Sequence, residues 1–404
     1  MTPTLPQTIQ GGRPLAWPSP SAPVAVIGGS AAGFYTAWLL SRGGRKVRVY
    51  ERAERLEPAQ RTLIVTCRMR EMLGAAGEPS VVNEIRRFEL WSGERYVQIS
   101  LDRPDLIIER SALIRSLAEQ ACAAGTDLAL GRRFLGFAAN EQVPAIELER
   151  REDGARETVP AATVVGADGV LSEVRRAAGW PKPETVPLLQ AVVQLPNDYP
   201  RDTVRVWFVP DDTPYFYWLI PEGGDRGALG LIGEDGQKAR RCLERFLETQ
   251  HLEPIEYQGA RIPVYTGWVP VHRKVGAMDV YLAGDAASQV KVTTVGGIVT
   301  GLRGAHAIAQ AILRADGAGE LRSLRRELNF HLLVRRSLHP FTQQQYSHLL
   351  QLLNPAAHES LARFHRDDAV RMVLRLCQNQ PRLLWVGLRG FLGTRGFPAA
   401  DEEI

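Results

Sequence analysis

The sequence predicts an α/β protein. A parallel sheet is interleaved with an antiparallel sheet, and a helical region follows. Three observations predict this. A strand, a glycine-rich turn, a helix and a second strand succeed one another over 24–50, the order of a βαβ unit. Over 183–265 the texture changes to short, alternating, aromatic-rich strands. After Gly304 the chain is largely helical, interrupted at Pro340.

Bulk properties bound the rest. At 404 residues the chain can bury two cores. The formal charge of +4 is small, arginine is spread along the chain, and no basic run is interleaved with aromatics, so nucleic acid is not an expected partner. Cys67, Cys122, Cys242 and Cys377 form no Cys-x-x-Cys pair, which argues against a disulfide framework or structural zinc and suits a reducing, cytoplasmic setting. The scattered histidines have no ligand spacing, so no metal is expected. No stretch is apolar enough to span a bilayer. Residues 1–22, rich in Pro, Gly, Ser and Thr, read as a flexible arm.

In chain order, the first strand runs into Gly28, Gly29, Ser30 and Gly33, and the following helix stops at Gly43 and Gly44. The turn is a phosphate-binding fingerprint with Ser30 at the middle glycine position. The next strand ends at Glu51, an acid about 20 residues on that can take ribose hydroxyls. Glu51 and the adjoining Arg52 are assigned to that end. An acid there favours an adenosine without a 2′-phosphate, which suits FAD and NAD alike. Residues 57–77 are less regular and contain Arg61 and Cys67; Cys67 reads as buried and inert. Alternation over 85–101 around Ser92 and Gly93 predicts a hairpin. Ser111 is the predicted N-cap of a helix whose apolar face holds Leu113, Leu117, Ala118 and Ala121, with Arg110 just ahead of it. A second hairpin turns at Asp153 and Gly154. An apolar strand from Thr163 then meets Asp168, with Ser172 placed to cap the next helix.

The aromatic-rich region contains Phe216, Trp218 and Ile220 on one face of a strand. The run 280–306 gives a buried strand, a loop, and a helix opening near Gly296. Gly284, without a Cβ, lets backbone approach a ligand. Asp285 presents a carboxylate to a sugar-alcohol hydroxyl. Gly296 and Gly297 leave bare N–H groups at a helix N-terminus, which suits the anionic edge of a reduced flavin.

This last run resembles the second flavin-binding motif of FAD-dependent oxidoreductases with a para-hydroxybenzoate-hydroxylase-like fold. Its Gly-Asp-Ala-Ala-x-x-Val-Lys-x-Thr-Thr-x-Gly-Gly-Ile is most similar to the geranylgeranyl reductase branch. The Asp168 segment resembles the Asp-Gly motif of flavoprotein hydroxylases. The Phe216–Trp218–Ile220 element is similar to one that geranylgeranyl reductases and flavin-dependent halogenases carry near their active sites. The resemblance implies a Rossmann-like FAD-binding domain (23–84, 105–182 and 266–312), a substrate domain (85–104 and 183–265) and a helical region (313–404) that helps form a lipid-sized cavity. It implies that Arg61 approaches the flavin, that Arg110 reaches the pyrophosphate and that Asp168 lies near the dinucleotide.

Three activities follow from the resemblance. The first is reduction of carbon–carbon double bonds in an isoprenoid or other lipid-like substrate. The electrons would come from transiently bound NAD(P)H or an electron-donor protein. The second is FAD-dependent hydroxylation of an aromatic or secondary metabolite. Halogenation is disfavoured, because no lysine lies between Lys46 and Lys182. The third is flavin binding without catalysis. The family's Cys-Gly-Glu-Gly segment is absent, and Val292 stands where proline is common. No catalytic acid or base is identified. The arginine-flanked apolar C-terminal segments suit peripheral membrane contact.

Overall fold

The computed structural model describes residues 23–138, 144–313, 317–364 and 366–383. The expected N-terminal arm and the helix expected beyond residue 383 lie outside these.

A six-stranded sheet places its strands in the order His272–Val275, Met278–Leu282, Thr163–Gly166, Val24–Ile27, Val47–Tyr50 and Asp127–Ala129. All neighbours are parallel except the antiparallel first pair. The central strand Val24–Ile27 is apolar and buried throughout, as a strand covered on both faces requires. Helix Ala31–Arg42 packs between helices Arg110–Ala123 and Ile298–Ile312. The register puts Tyr50, Ile27, Gly166 and Leu282 side by side. Glu51, Gly28, Ala167 and Ala283 therefore leave the same edge together. The three sequence motifs meet because the strands that carry them end in line.

The second sheet has eight strands, in the order Pro254–Pro263, Thr185–Gln194, Arg226–Ile232, Tyr217–Gly223, Thr203–Trp207, Val81–Ser92, Arg95–Glu109 and Thr62–Val65. Two expectations are corrected here. The sheet is not wholly antiparallel, since Thr203–Trp207 runs parallel to Val81–Ser92. Strand Thr62–Val65, from the stretch read as irregular, pairs with the far end of Arg95–Glu109, so segments assigned to the FAD-binding part continue this sheet. A separate three-stranded sheet contains the Asp153 hairpin.

One face of the large sheet is closed by helix Gly236–Thr249, where Tyr217 stacks on Phe246 with centroids 4.0 Å apart. The alternate residues face the other way, into a cluster with Phe88, Val206 and Ile262. Helices Ala318–Leu338, Gln343–Gln351, Pro355–Arg363 and Ala369–Asn379 complete the described chain. No helix among the described residues is long and apolar enough to cross a membrane.

Candidate functional site

The glycine-rich turn is built by contact. Gly28 has φ +105°, and a Cβ there would stand 2.6 Å from the Ala167 carbonyl oxygen; a Cβ on Gly33 would stand 2.2 Å from that of Gly28. Ser30 is the N-cap of the first helix: its Oγ accepts from Gly33 N–H at 3.1 Å and donates to the Ala167 carbonyl at 2.8 Å. The side chain at the middle glycine position thus ties two of the motifs together. The Glu51 carboxylate accepts from Gly29 N–H (2.6 Å) and Ala53 N–H (2.9 Å) and is half-buried, whereas Arg52 is exposed.

Glu109, not Ser111, is the N-cap of helix Arg110–Ala123, because its carboxylate accepts from both Ser111 and Ala112 N–H. Arg110 is therefore the first helical residue. Its N–H donates to the Arg61 carbonyl at 3.0 Å, and Arg61 N–H donates to Glu109 at 3.3 Å. This clasp brings both arginines to the same wall as Asp285. Burial lowers the Arg61 guanidinium to about 10; the Arg110 charge adds to the shift and Asp285 opposes it. Burial raises the Asp285 carboxyl, against the pull of Arg61 and Arg110. Arg61 Nε is buried without a partner, an orphan donor beside a cavity.

Asp168 does not line that cavity. Its carboxylate accepts from the Ser172 hydroxyl (2.5 Å) and Glu173 N–H (2.7 Å), so it acts on the following helix. Burial raises this carboxyl too. Ser172 caps that helix as expected. Arg175, which the sequence reading left without a role, is almost fully buried. Its guanidinium donates to the Ala286 carbonyl (3.0 Å) and the Ser288 hydroxyl (2.8 Å), holding the loop around Asp285. Gln289 braces the same loop by accepting from Gly284 N–H at 2.8 Å.

Gly284 serves close packing rather than ligand approach alone: at φ +65°, its Cβ would lie 2.9 Å from the Ala32 Cβ. Helix Ile298–Ile312 begins after Gly297, two residues past the expected start at Gly296. The intervening loop is fastened to the C-terminal region at three points. Lys291 forms a buried ion pair with Asp367, which also accepts from Thr66. Val292 is buried among Tyr265, Leu324 and Leu328. The Thr293 hydroxyl lies 2.6 Å from His331 Nδ1. Burial works to raise the Asp367 carboxyl, but Lys291 and the hydrogen bonds from Lys291 and Thr66 outweigh it and hold it well below the carboxylate range. Burial pushes the His331 ring below its ordinary value.

These parts enclose one cavity of about 490 Å³. Ser30, Ala31, Ala32, Arg61, Arg110, Gly284, Asp285, Gly296 and Gly297 line one side. Phe216, Trp218 and Ile220 line the other, with Phe88, Val206 and Ile262. Val334, Leu338, Phe364 and Met372 from the helical region also face it. Two helix N-termini and an orphan guanidinium nitrogen open onto the first side, a donor set that fits a phosphate and an anionic ring. Cys67 is buried, and that burial raises its thiol to about 11.

The fold and site define the class of a dinucleotide-binding flavoprotein. A family model described as "FAD binding domain" matches residues 21–320. Digeranylgeranylglycerophospholipid reductase 1 of Methanopyrus kandleri is 30% identical over 299 residues, covering 69% of this chain and 77% of that protein. The geranylgeranyl diphosphate reductase of Rhodobacter capsulatus is 25% identical, over 74% and 78% of the two chains. Among solved structures, a geranylgeranyl bacteriochlorophyll reductase-like protein of Thermoplasma acidophilum has a TM-score of 0.73 at 17% identity and covers 91% of this chain and 98% of its own. The p-nitrophenol 4-monooxygenase of Pseudomonas putida has a TM-score of 0.60 at 16% identity, over 93% and 99%, a likeness of fold alone. The chain belongs to the FAD-dependent oxidoreductases of the geranylgeranyl reductase-like family.

Proposed function

We propose that this protein reduces carbon–carbon double bonds of an isoprenoid or similar lipid-like substrate. The observation that carries the reading is a cavity with Arg61, Arg110 and Asp285 on one side and Phe88, Phe216, Trp218, Ile220 and Ile262 on another. A slot of that kind holds an alkene against a ring and excludes water. The names of the relatives, which refer to geranylgeranyl lipids, support it.

Bound FAD supplies a hydride once reduced. In this reading Glu51 takes the ribose hydroxyls, with Arg52 at the rim. Gly28, Gly29, Ser30 and Gly33 shape the pyrophosphate turn, and Asp168 holds the turn's neighbouring helix in place. Arg110 neutralises phosphate charge. Asp285 accepts from a hydroxyl of the ribityl chain. Arg61 and the N–H groups after Gly296 and Gly297 face the anionic ring edge. Phe216, Trp218 and Ile220 seat the hydrocarbon. Delivery of so apolar a substrate suits a membrane surface, and helix Ala369–Asn379 exposes Leu374 between Arg371 and Arg375.

The test is a single turnover. FAD-loaded protein is reduced without oxygen, mixed with a digeranylgeranyl glycerophospholipid, quenched and analysed by mass spectrometry. The expected product gains two hydrogens for each double bond reduced. Unchanged lipid, together with oxygen insertion into an aromatic compound in air, would overturn the reading.

A further inference from the structure

We propose that Val295 is a selectivity gate. Left-handed backbone holds its isopropyl group in the passage between the cofactor loop and the large sheet. There it admits a slender acyclic chain and excludes fused rings. The inference rests on the lipid reading above and adds which lipids enter.

Among the described residues, His251, Ser288 and Val295 alone combine a side chain other than hydrogen with positive φ. His251 sits just past the end of helix Gly236–Thr249, where left-handed backbone is common. Ser288 is compensated, because its hydroxyl accepts from Arg175 and its N–H donates to the Asp285 carbonyl. Val295, at φ +50°, is β-branched, the side-chain type least suited to this backbone. Its side chain is a hydrocarbon and can form no compensating hydrogen bond. Glycine would take the same conformation without strain, as it does at Gly284. The backbone path therefore does not call for a valine.

What the isopropyl group touches supplies the reason. It lines the cavity and packs against the cluster that contains Phe88, Trp218 and Ile220. The loop cannot swing it aside. Lys291 N–H donates to the Gly296 carbonyl at 3.2 Å, closing the loop across its base. Lys291, Val292 and Thr293 are each fastened to the C-terminal region. Strain carried where a rigid loop faces a ligand cavity is the pattern of a functional constraint.

The experiment measures displacement of a fluorescent fatty acid from FAD-loaded protein by geranylgeraniol and by cholesterol. Wild type is expected to prefer geranylgeraniol. In Val295→Gly, cholesterol should gain about tenfold or more, the size of a relieved clash of one or two methyl groups, while geranylgeraniol changes by less than about threefold. Val295→Ala, which keeps a Cβ, should fall between and serves if the glycine variant folds poorly. FAD content should be unchanged. Unaltered preference in a folded variant would overturn the gate alone, and loss of FAD would move Val295 to the flavin seat and overturn it as well. Wild-type protein that binds neither lipid would overturn the lipid reading on which the gate rests.

Discussion

The two walls of the cavity are made by different physics. The cofactor wall is a set of backbone turns held by single contacts: Ser30 to Ala167, Arg175 to Ala286, Glu109 to Ser111. These contacts fix the turns, with Arg61 Nε left open toward the cavity, and the spacing of residue types is therefore short and rigid. The sheet wall is mainly a surface of alternating apolar side chains, with Gln190 bonded to Gln258 and Asp105 paired with Arg366 at its edges. In the proposed function the first wall seats the cofactor. The second can change shape residue by residue and would govern which substrate is admitted.

The largest expected effect is on the first wall. Arg175→Met leaves the Ala286 carbonyl and Ser288 hydroxyl buried without their charged donor. It should cost about 3 kcal/mol in urea unfolding and loosen the Asp285 loop. A change under about 0.5 kcal/mol would show that the loop does not depend on that clasp. Asp285→Ala should weaken FAD about 10- to 100-fold by fluorescence titration, the loss of a hydrogen bond to a charged acceptor. It should leave apoprotein stability equal or higher, since burial raises that carboxyl. Unaltered FAD affinity would remove Asp285 from the site.

Trp218→Ala should separate the walls, weakening geranylgeraniol about tenfold while FAD affinity stays within about twofold. Equal losses for both ligands would mean that the walls are one site. The smallest effect is on pH dependence. His331 is held below its ordinary pKa, so the native state binds fewer protons than the unfolded one just below about 6.5. Stability is thus full above that value and falls as pH drops through the lowered native pKa. His331→Gln should remove this part of the slope below about pH 6.5. A wild-type slope retained in the variant would place the titration elsewhere.

Much of the cofactor wall was legible in the sequence, because glycines, caps and acids sit at fixed offsets from strand ends. Phe216, Trp218 and Ile220 were legible through simple alternation. What escaped depends on contacts between distant residues. Lys291 finds Asp367 across 76 positions, and Arg175 reaches Ser288 across 113. The Thr62–Val65 strand is too short to announce itself and is fixed by pairing with Glu109 and its neighbours. The cap at Glu109 was misplaced onto Ser111 because a serine is the usual choice, whereas here the preceding strand delivers a carboxylate to both N–H groups. Val295 left no sign, since a positive φ at a β-branched residue is visible only in the folded backbone.

The most direct measurement is a paired titration. A fluorescent fatty acid is bound to apoprotein and to FAD-loaded protein, and its affinity is compared. Two walls serving two ligands side by side predict that both bind at once, with lipid affinity equal or higher when FAD is present. Competition, with FAD expelling the lipid in proportion to its own occupancy, would contradict the account.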